Sequence, residues 1–368
     1  MDIRPQPLTV GESAPWFHLP TGKKPRYSFD TAAGRYVLLV FFGSSTEPQA
    51  REVLQRLVSL HSALDGARLS FFGVTTDPAD VAQARVRDAP PGVRFFHDLE
   101  GQVSALYGAC PPGATYRPVS YLLDPALRVL HTLVWTGQPA EHVAQLARWL
   151  AEVPTPQPPH AATPQAPVLV VPRVFSPELC AALIRYYQQH GGVDSGFMRD
   201  INGQTTTVID HGFKRRGDRM IEDPPLQGAC VAALQRRLLP EIYKAFQFQA
   251  SHLERALISC YDAQDSGHFA AHRDNTTLAT RHRRFAVSLF LNSGQYEGGQ
   301  LQFPEFGSAL YSAPAGGAVV FSCSLLHKAT AVTRGQRYMF LPFLYDGAAQ
   351  TQRQANAQHL SDQVIHLN

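Results

Sequence analysis

The 368-residue chain contains no apolar run approaching the ~18 residues that a membrane-spanning helix requires. Its strongly apolar stretches, such as Tyr36–Phe42 (YVLLVFF), are of strand length, so no membrane partner is expected. A charge excess is also missing. Lys and Arg number 33 against 30 Asp and Glu, and the first 153 residues carry 14 of each sign. A net charge of +3 is too small to argue nucleic-acid binding, and no such partner is expected. Cysteine is sparse: Cys110, Cys180, Cys230, Cys260 and Cys323 are scattered with no CxxC pair, which fits free thiols in a reducing compartment. The opening MDIRPQPLTVGESAP has no apolar h-region, so a cytoplasmic protein without a secretory signal is expected. What is present is globular. Hydrophobic residues make up 44%, with 21 Phe and 13 Tyr, enough for two domains each with its own core.

The boundary is legible. Pro154–Pro167 reads PTPQPPHAATPQAP, with six prolines, no charge and no large apolar side chain. Such a segment cannot pack a core and favours an extended, semi-rigid spacer. The expected division is therefore residues 1–153, a linker over 154–167, and a second domain over 168–368. Upstream, strands at Tyr36–Phe42 and Leu69–Thr75 alternate with helical patterns over Glu47–Leu64 and Asp77–Arg87. A hairpin follows, Val119–Leu123 with Val129–Val134 around Asp124-Pro125, and then a helix over Ala140–Leu150. A βαβ unit followed by a hairpin and a helix predicts a thioredoxin-like α/β fold. Downstream, Ser176-Pro177-Glu178 opens a helix running to about His190, and Pro224–Phe246 reads as one or two more. From Leu257 to Tyr345 short strands alternate with turns, which predicts a jelly roll (a double-stranded β-helix) flanked by helices.

The chemistry concentrates in this β-rich half. His272-Arg273-Asp274 puts an imidazole and a carboxylate two residues apart, on one side of an extended segment. His327 lies 53 residues beyond Asp274, at the end of GAVVFSCSLLH. Two His and one carboxylate on one face of a metal ion leave open positions, the donor set of oxygen-activating Fe(II) sites. Arg337 follows ten residues later, at the start of the last strong strand. There a guanidinium can hold a carboxylate with two parallel hydrogen bonds.

This order and spacing resembles the Fe(II)/2-oxoglutarate-dependent oxygenases of the prolyl 4-hydroxylase-like branch over about residues 170–346. The likeness extends to CYDAQDSGHFAAHRDN, RRFAVSLFLNSGQYEGGQLQFPEF and APAGGAVVFSCSLLHKATAVTRGQRYMF. The resemblance implies that His272, Asp274 and His327 hold Fe(II), and that Arg337 binds the distal carboxylate of 2-oxoglutarate with help from Tyr261. O2 is then the second cosubstrate and ascorbate a further candidate. The implied activity is a dioxygenase hydroxylating a C–H bond of a protein side chain, prolyl being family-typical, or of a small molecule, with 2-oxoglutarate decarboxylated to succinate. Substrate contacts are sought in Gly196–Pro224, expected as a long polar loop. They include Lys214, Arg215 and Arg216, together with Asn275, Arg284 and His268, the last expected in the pocket wall. For the basic clusters a solvated face stands beside receipt of an acidic substrate or a nucleic-acid backbone.

GESAPWFHLP, GRYVLLVFFGSSTEP and LYGACPPGATYRPVSYLLDP resemble peroxiredoxins of the thiol-specific antioxidant type over about residues 8–152, with Arg117 at the active-site arginine. In that family a thiolate cysteine begins the helix after the first strand. Here Gly43–Glu52 reads GSSTEPQARE, without cysteine, so no catalytic thiol is assigned. The module is expected to be non-catalytic: docking a substrate protein, forming a homodimer, or covering the oxygenase cleft. Two other readings remain, a thiol peroxidase or reductase using Cys110 and a non-enzymatic metal-binding interaction protein.

Overall fold

The computed structural model describes residues 5–57, 64–111, 113–155, 157–159 and 161–367. Val58 and Leu60 of the expected first helix, Pro156 and His160 of the spacer, and the opening Met1–Arg4 lie outside the described residues. The chain forms two compact units, Met1–His160 and Ala161–Asn368. No helix of the described residues is long and apolar enough to cross a membrane.

The first unit is built on β1 (Tyr36–Gly43), α1 (Pro48–Leu57), β2 (Leu69–Thr75), α2 (Pro78–Ala82), β3 (Val93–His97), α3 (Gln102–Leu106), β4 (Val119–Leu123), β5 (Val129–Val134) and α4 (Pro139–Ala151). Its sheet runs β3-β2-β1-β4-β5, with β1, β2 and β3 parallel and β4 and β5 antiparallel. Both faces of β1 are covered, Leu39 and Phe41 by one apolar cluster and Leu38, Val40 and Phe42 by another. That double burial is why its sequence is continuously apolar rather than alternating. The helix expected over Asp77–Arg87 is shorter. Asp77 caps it through Ala79 N at 2.8 Å, but it stops at Ala82, and Ala84 takes a positive φ of 49°.

The second unit opens with a short strand, Leu169–Val171, paired with residues 318–320, and then α5 (Pro177–His190), capped by Ser176 Oγ accepting from Leu179 N. Then come β6 (Phe197–Ile201), β7 (Gln204–Ile209), β8 (Gly217–Met220), α6 (Pro224–Arg237) and α7 (Leu239–Phe246). The sandwich strands are β9 (Leu257–Asp262), β10 (His268–His272), β11 (Phe285–Phe290), β12 (Ala318–Ser322), β13 (His327–Ala329), β14 (Gln336–Phe340) and β15 (Phe343–Tyr345); α8 (Gly347–Asn356) and β16 (Leu360–His366) close the chain. The larger sheet places β15, β11, β14, β9 and β8 side by side. A smaller one runs Lys214–Arg215, β10, β13, Leu301–Gln302 and Leu310–Tyr311. One apolar cluster, including Phe290 and Met339 of the large sheet with Leu301 and Ala329 of the small one, fills the space between them. The opposite face of the large sheet packs Ile258, Leu289 and Phe340 against Leu183, Leu234 and Ile242 of the helices. This is the expected jelly roll flanked by helices.

The segment Gly196–Pro224, expected as a loop, is mostly strand. β6 and β7 form a hairpin whose outer edge is completed by β16 in parallel. Lys214–Arg215 then pairs with β10, and β8 pairs with β9. The chain therefore crosses from the small sheet to the large one at Arg216.

Candidate metal centre

His272 ends β10 and His327 begins β13, and the two are directly opposite in the antiparallel register. Each ring is fixed by its Nδ1, which lies 2.8 Å from Ala270 O for His272 and 3.0 Å from Leu325 O for His327. A carbonyl can only accept, so Nδ1 carries a proton in each ring, and the tautomer this selects turns Nε2 outward as a metal ligand. Both Nε2 atoms face the Asp274 carboxylate, at 3.5 Å from Oδ1 and 3.5 Å from Oδ2. Asp274 is held in place by its own amide, which donates to Cys323 O at 3.0 Å. Three ligand atoms thus converge within 4.8 Å of one another. Burial would lift the Asp274 carboxyl, but His327, His272 and Arg283 hold it well below the usual carboxylate range. Burial pushes His327 down to about 4, against the opposing pull of Asp274. A carboxylate and two imidazole Nε2 atoms turned toward one point form a donor set that a cation can occupy. The donor set, two nitrogens and one oxygen, fits a divalent transition metal with open positions, and the carbonyls behind Nδ1 are the orienting partners such ligands use.

Across the sandwich, Tyr261 of β9 and Arg337 of β14 are also directly opposite. Arg337 is 1% exposed, with its guanidinium over the rings of Tyr261 (4.8 Å) and Phe290 (5.2 Å). Its Nε has no hydrogen-bond partner. Arg337, Tyr261 and the three ligand residues line one narrow cavity of about 50 Å³. A buried cation without a carboxylate is costly, and here it faces the cavity that holds the triad.

Residues 10–132 match the AhpC/TSA family, and residues 256–345 match the 2OG-Fe(II) oxygenase superfamily. The chain joins an AhpC/TSA domain to a 2OG-Fe(II) oxygenase domain. A PKHD-type hydroxylase of Synechococcus sp. is 32% identical over 126 residues, which cover 32% of this chain and 53% of that protein. Another, from Pseudomonas fluorescens, is 34% identical over 149 residues, covering 37% and 63%. The chain therefore spans about half the length of the first relative and under two thirds of the second. Among solved structures, a Pseudomonas putida prolyl-4-hydroxylase aligns at 16% identity and a TM-score of 0.38, over 49% of this chain and 92% of that one. Peroxidoxin BcpB of Mycobacterium tuberculosis aligns at 19% and 0.34, over 40% and 98%.

Within the oxygenase domain a second, outer cavity of about 420 Å³ opens beside the triad. Arg216, Arg255, Phe269, His272 and Asp274 line both cavities. Lys214 and Arg216, 4% and 7% exposed, lie in the outer one and are not a solvated basic face. Lys214 Nζ donates to Ser195 Oγ at 2.7 Å and lies 4.9 Å from the Phe269 ring centroid. Arg216 pairs with Asp218 at 2.6 Å. Burial, with Arg216 and Arg255 nearby, drives Lys214 well below its ordinary value. The remaining expected contacts are elsewhere. Arg215 is an exposed partner of Asp265 at 3.8 Å. His268 is absent from both cavity linings and lies instead 2.9 Å from Ser266 O and 3.2 Å from Gly212 O. Asn275 donates to Ser324 Oγ at 2.8 Å, and Arg284 to Arg281 O at 2.9 Å and Gln352 Oε1 at 3.1 Å. Sequence reasoning missed Arg255, which follows His252–Glu254 with a positive φ of 56°. Arg283, part of the basic run over residues 281–284, is no free receiver of an anion: it binds Glu254 at 2.6 and 2.9 Å.

In the AhpC/TSA domain the head of α1 is a network of hydroxyls closed on two carboxylates. Ser44 Oγ donates to Asp77 at 2.6 Å, Thr75 Oγ1 donates to Asp80 at 2.7 Å, and Ser45 binds Asp80 through both its amide and its hydroxyl. Arg117 contacts Gln6 Oε1 at 3.3 Å and does not line the cavity formed by Gly43, Ser44, Gln49 and Tyr116. Cys110 is half-buried.

Proposed function

We propose that the protein is an Fe(II)- and 2-oxoglutarate-dependent hydroxylase. His272, Asp274 and His327 would hold the metal, and Arg337, with Tyr261 packed beneath it, would receive the distal carboxylate of 2-oxoglutarate. The observation that carries this reading is the shared cavity: two imidazole nitrogens and a carboxylate converge on the small sheet, and an unpaired guanidinium faces them from the large one. Iron bound there supplies the oxidising chemistry that hydroxylates a carbon as 2-oxoglutarate is decarboxylated to succinate. The chain's own residues do the positioning. The Ala270 and Leu325 carbonyls fix both ring tautomers, and Asp274 remains ionised at neutral pH. The walls of Phe321, Leu301 and Phe343 limit water and strengthen the Arg337–carboxylate attraction. The PKHD-type relatives are consistent with this activity.

The test is anaerobic reconstitution with Fe(II) and 2-oxoglutarate, read as the weak visible metal-to-ligand charge-transfer band. The band is expected in the natural protein and absent from His272→Ala. Folded, iron-loaded protein without a band would refute the keto-acid site. Among the described residues of the AhpC/TSA domain, the helix head offers hydroxyls and carboxylates, which cannot replace a thiolate in thiol exchange. We assign it a non-catalytic role.

A further inference from the structure

The outer cavity carries more cationic charge than its surroundings balance. Six basic side chains, Arg199, Lys214, Arg216, Arg255, Arg273 and Arg283, line it together with the triad's Asp274; Arg199 is exposed and Arg273 pairs with Glu305 at 2.8 Å, which leaves four others. Two of them are spoken for. Arg283 is held by Glu254, whose carboxylate also receives His282 at 2.8 Å. Arg216 is held by Asp218, which Ser259 Oγ also engages at 2.6 Å, although the buried Nε of Arg216 has no partner. Asp200, the other acid of the lining, is engaged by the Leu278 amide at 3.0 Å and Thr205 Oγ1 at 2.6 Å.

Lys214 and Arg255 are different. Among the described residues neither has a carboxylate within 4 Å. Lys214 is held only by neutral oxygens of Ser195 and Gly196. The Nε of Arg255 is buried without a partner, its guanidinium lies 4.6 Å from the Phe343 ring, and burial with Arg283 and Arg216 nearby lowers it to about 10. Its backbone also sits in the left-handed region, which is uncommon for a side chain of this size. Strain together with an unbalanced half-buried cation is a combination that ligand sites hold and structural positions avoid. Phe197, Phe213 and Phe269 form an aromatic wall of the same cavity, with centroid spacings of 4.4 and 5.8 Å.

We propose that this outer cavity receives a small anionic substrate, whose carboxylate or phosphate is held by Arg255 and Lys214 while its carbon body lies along Phe213 and Phe269 toward the metal triad. This rests on the hydroxylase reading, since the triad marks where the reacting carbon must lie. It separates two anion positions: Arg337 in the inner cavity for the cosubstrate, and Arg255 with Lys214 in the outer one for the substrate. A volume of about 420 Å³ lies in the range of small-molecule sites.

The test uses the full chain, anaerobic, loaded with Fe(II) and saturating 2-oxoglutarate so that Arg337 is occupied. Benzoate, phenyl phosphate and the neutral benzamide are titrated by calorimetry; the first two separate a carboxylate preference from a phosphate one. The charged probes should bind at least about tenfold more tightly than benzamide, the worth of one charge-assisted contact. Arg255→Met and Lys214→Met should each cost the charged probes about tenfold or more and leave benzamide unmoved. Arg255→Lys should recover part of that loss, and a retained charge-transfer band shows that each variant is folded. Benzamide binding as well as benzoate would overturn the proposal. So would Arg255→Met weakening 2-oxoglutarate instead of the probes, which would assign Arg255 to the cosubstrate. A missing band with Arg255-dependent probe binding would remove the hydroxylase reading and leave the anion site standing. A normal band without probe binding would do the reverse.

Discussion

Arg337 gives the sharpest test, because the reasoning requires one substitution to act in opposite directions on stability and on binding. Its guanidinium is 1% exposed, stacks on Tyr261 and Phe290, and has an unpartnered Nε. Desolvating such a charge costs several kcal/mol, and each cation–π contact returns ~1–2 kcal/mol. The net cost left in the ligand-free fold is of order 1–3 kcal/mol. Arg337→Met keeps most of the apolar stem and removes the charge, so the ligand-free protein should become more stable. For a unit of roughly 200 residues each kcal/mol corresponds to ~2–4 °C in Tm, so a rise of about 2–12 °C is expected by calorimetry on metal-free protein. The same variant removes a buried charge partner of the cosubstrate, worth about 2–5 kcal/mol. Titration of the charge-transfer band should therefore show 2-oxoglutarate binding roughly 30-fold to several thousandfold weaker. An arginine kept for structure would behave in the opposite way. A lowered Tm with 2-oxoglutarate affinity within threefold of the natural protein would refute the argument.

Further outcomes follow from the same geometry. His327→Ala and Asp274→Ala should each weaken Fe(II) binding by about 100-fold or more, measured by competition with a chelator, while the circular dichroism spectrum is retained. Arg283→Met strands the Glu254 carboxylate beside His282 and should cost about 3–5 kcal/mol in urea unfolding; a loss under 1 kcal/mol would mean that Glu254 finds other partners. His142 is buried against Ser120 Oγ at 3.0 Å and Trp135, and burial pushes it down to about 4. Its folded value lies below its unfolded one, so the unfolded state takes up a proton first as the pH drops. Stability of the first unit should fall by about 3 kcal/mol between pH 6.5 and 4, read from Trp fluorescence, and His142→Gln should flatten that slope. Cys110→Ser should leave background peroxide consumption unchanged.

Most of the sandwich and its triad are legible in sequence, because the metal ligands obey the rules that shape the strands. His272 and Asp274 are two apart, and His327 opens a strand after a buried apolar run. Arg337 stands where a sheet interior would otherwise have an apolar side chain. The βαβ-hairpin-helix order of the first unit is readable for the same reason, since β1 is buried on both faces and shows it. What was hidden depends on long-range pairing. β3 and α3 are too short to stand out, and β16 becomes a strand only because β7 offers it an edge. The stretch Phe197–Met220 looks like a loop because it is rich in polar residues, of which Lys214 and Arg216 are buried against a cavity and others face water. A period-two signal was there: Lys214, Arg216 and Asp218 alternate, as strand residues facing one side do, while Arg215 between them points to solvent. Arg255 gave no such signal, since its place beside the triad is set by the β15 pairing of the preceding three residues.

The two units show how differently a fold and a site can persist. In the oxygenase domain, charges are left without carboxylates at the buried Arg337 and Lys214 and at the half-buried Arg255, a condition that costs stability and that ligands supplying the missing anions would relieve. In the AhpC/TSA domain the opposite holds at the equivalent place: Ser44, Ser45 and Thr75 satisfy the carboxylates of Asp77 and Asp80 at the head of α1, where a thiolate would require an unsatisfied, electropositive pocket. On the proposed reading, the unbalanced cations mark the oxygenase unit as the seat of the activity, and the first unit serves through its surface. That distinction can be measured: deleting the first unit should leave the charge-transfer band of the second intact, and a lost band in soluble, folded protein would show that the AhpC/TSA domain takes part in the site.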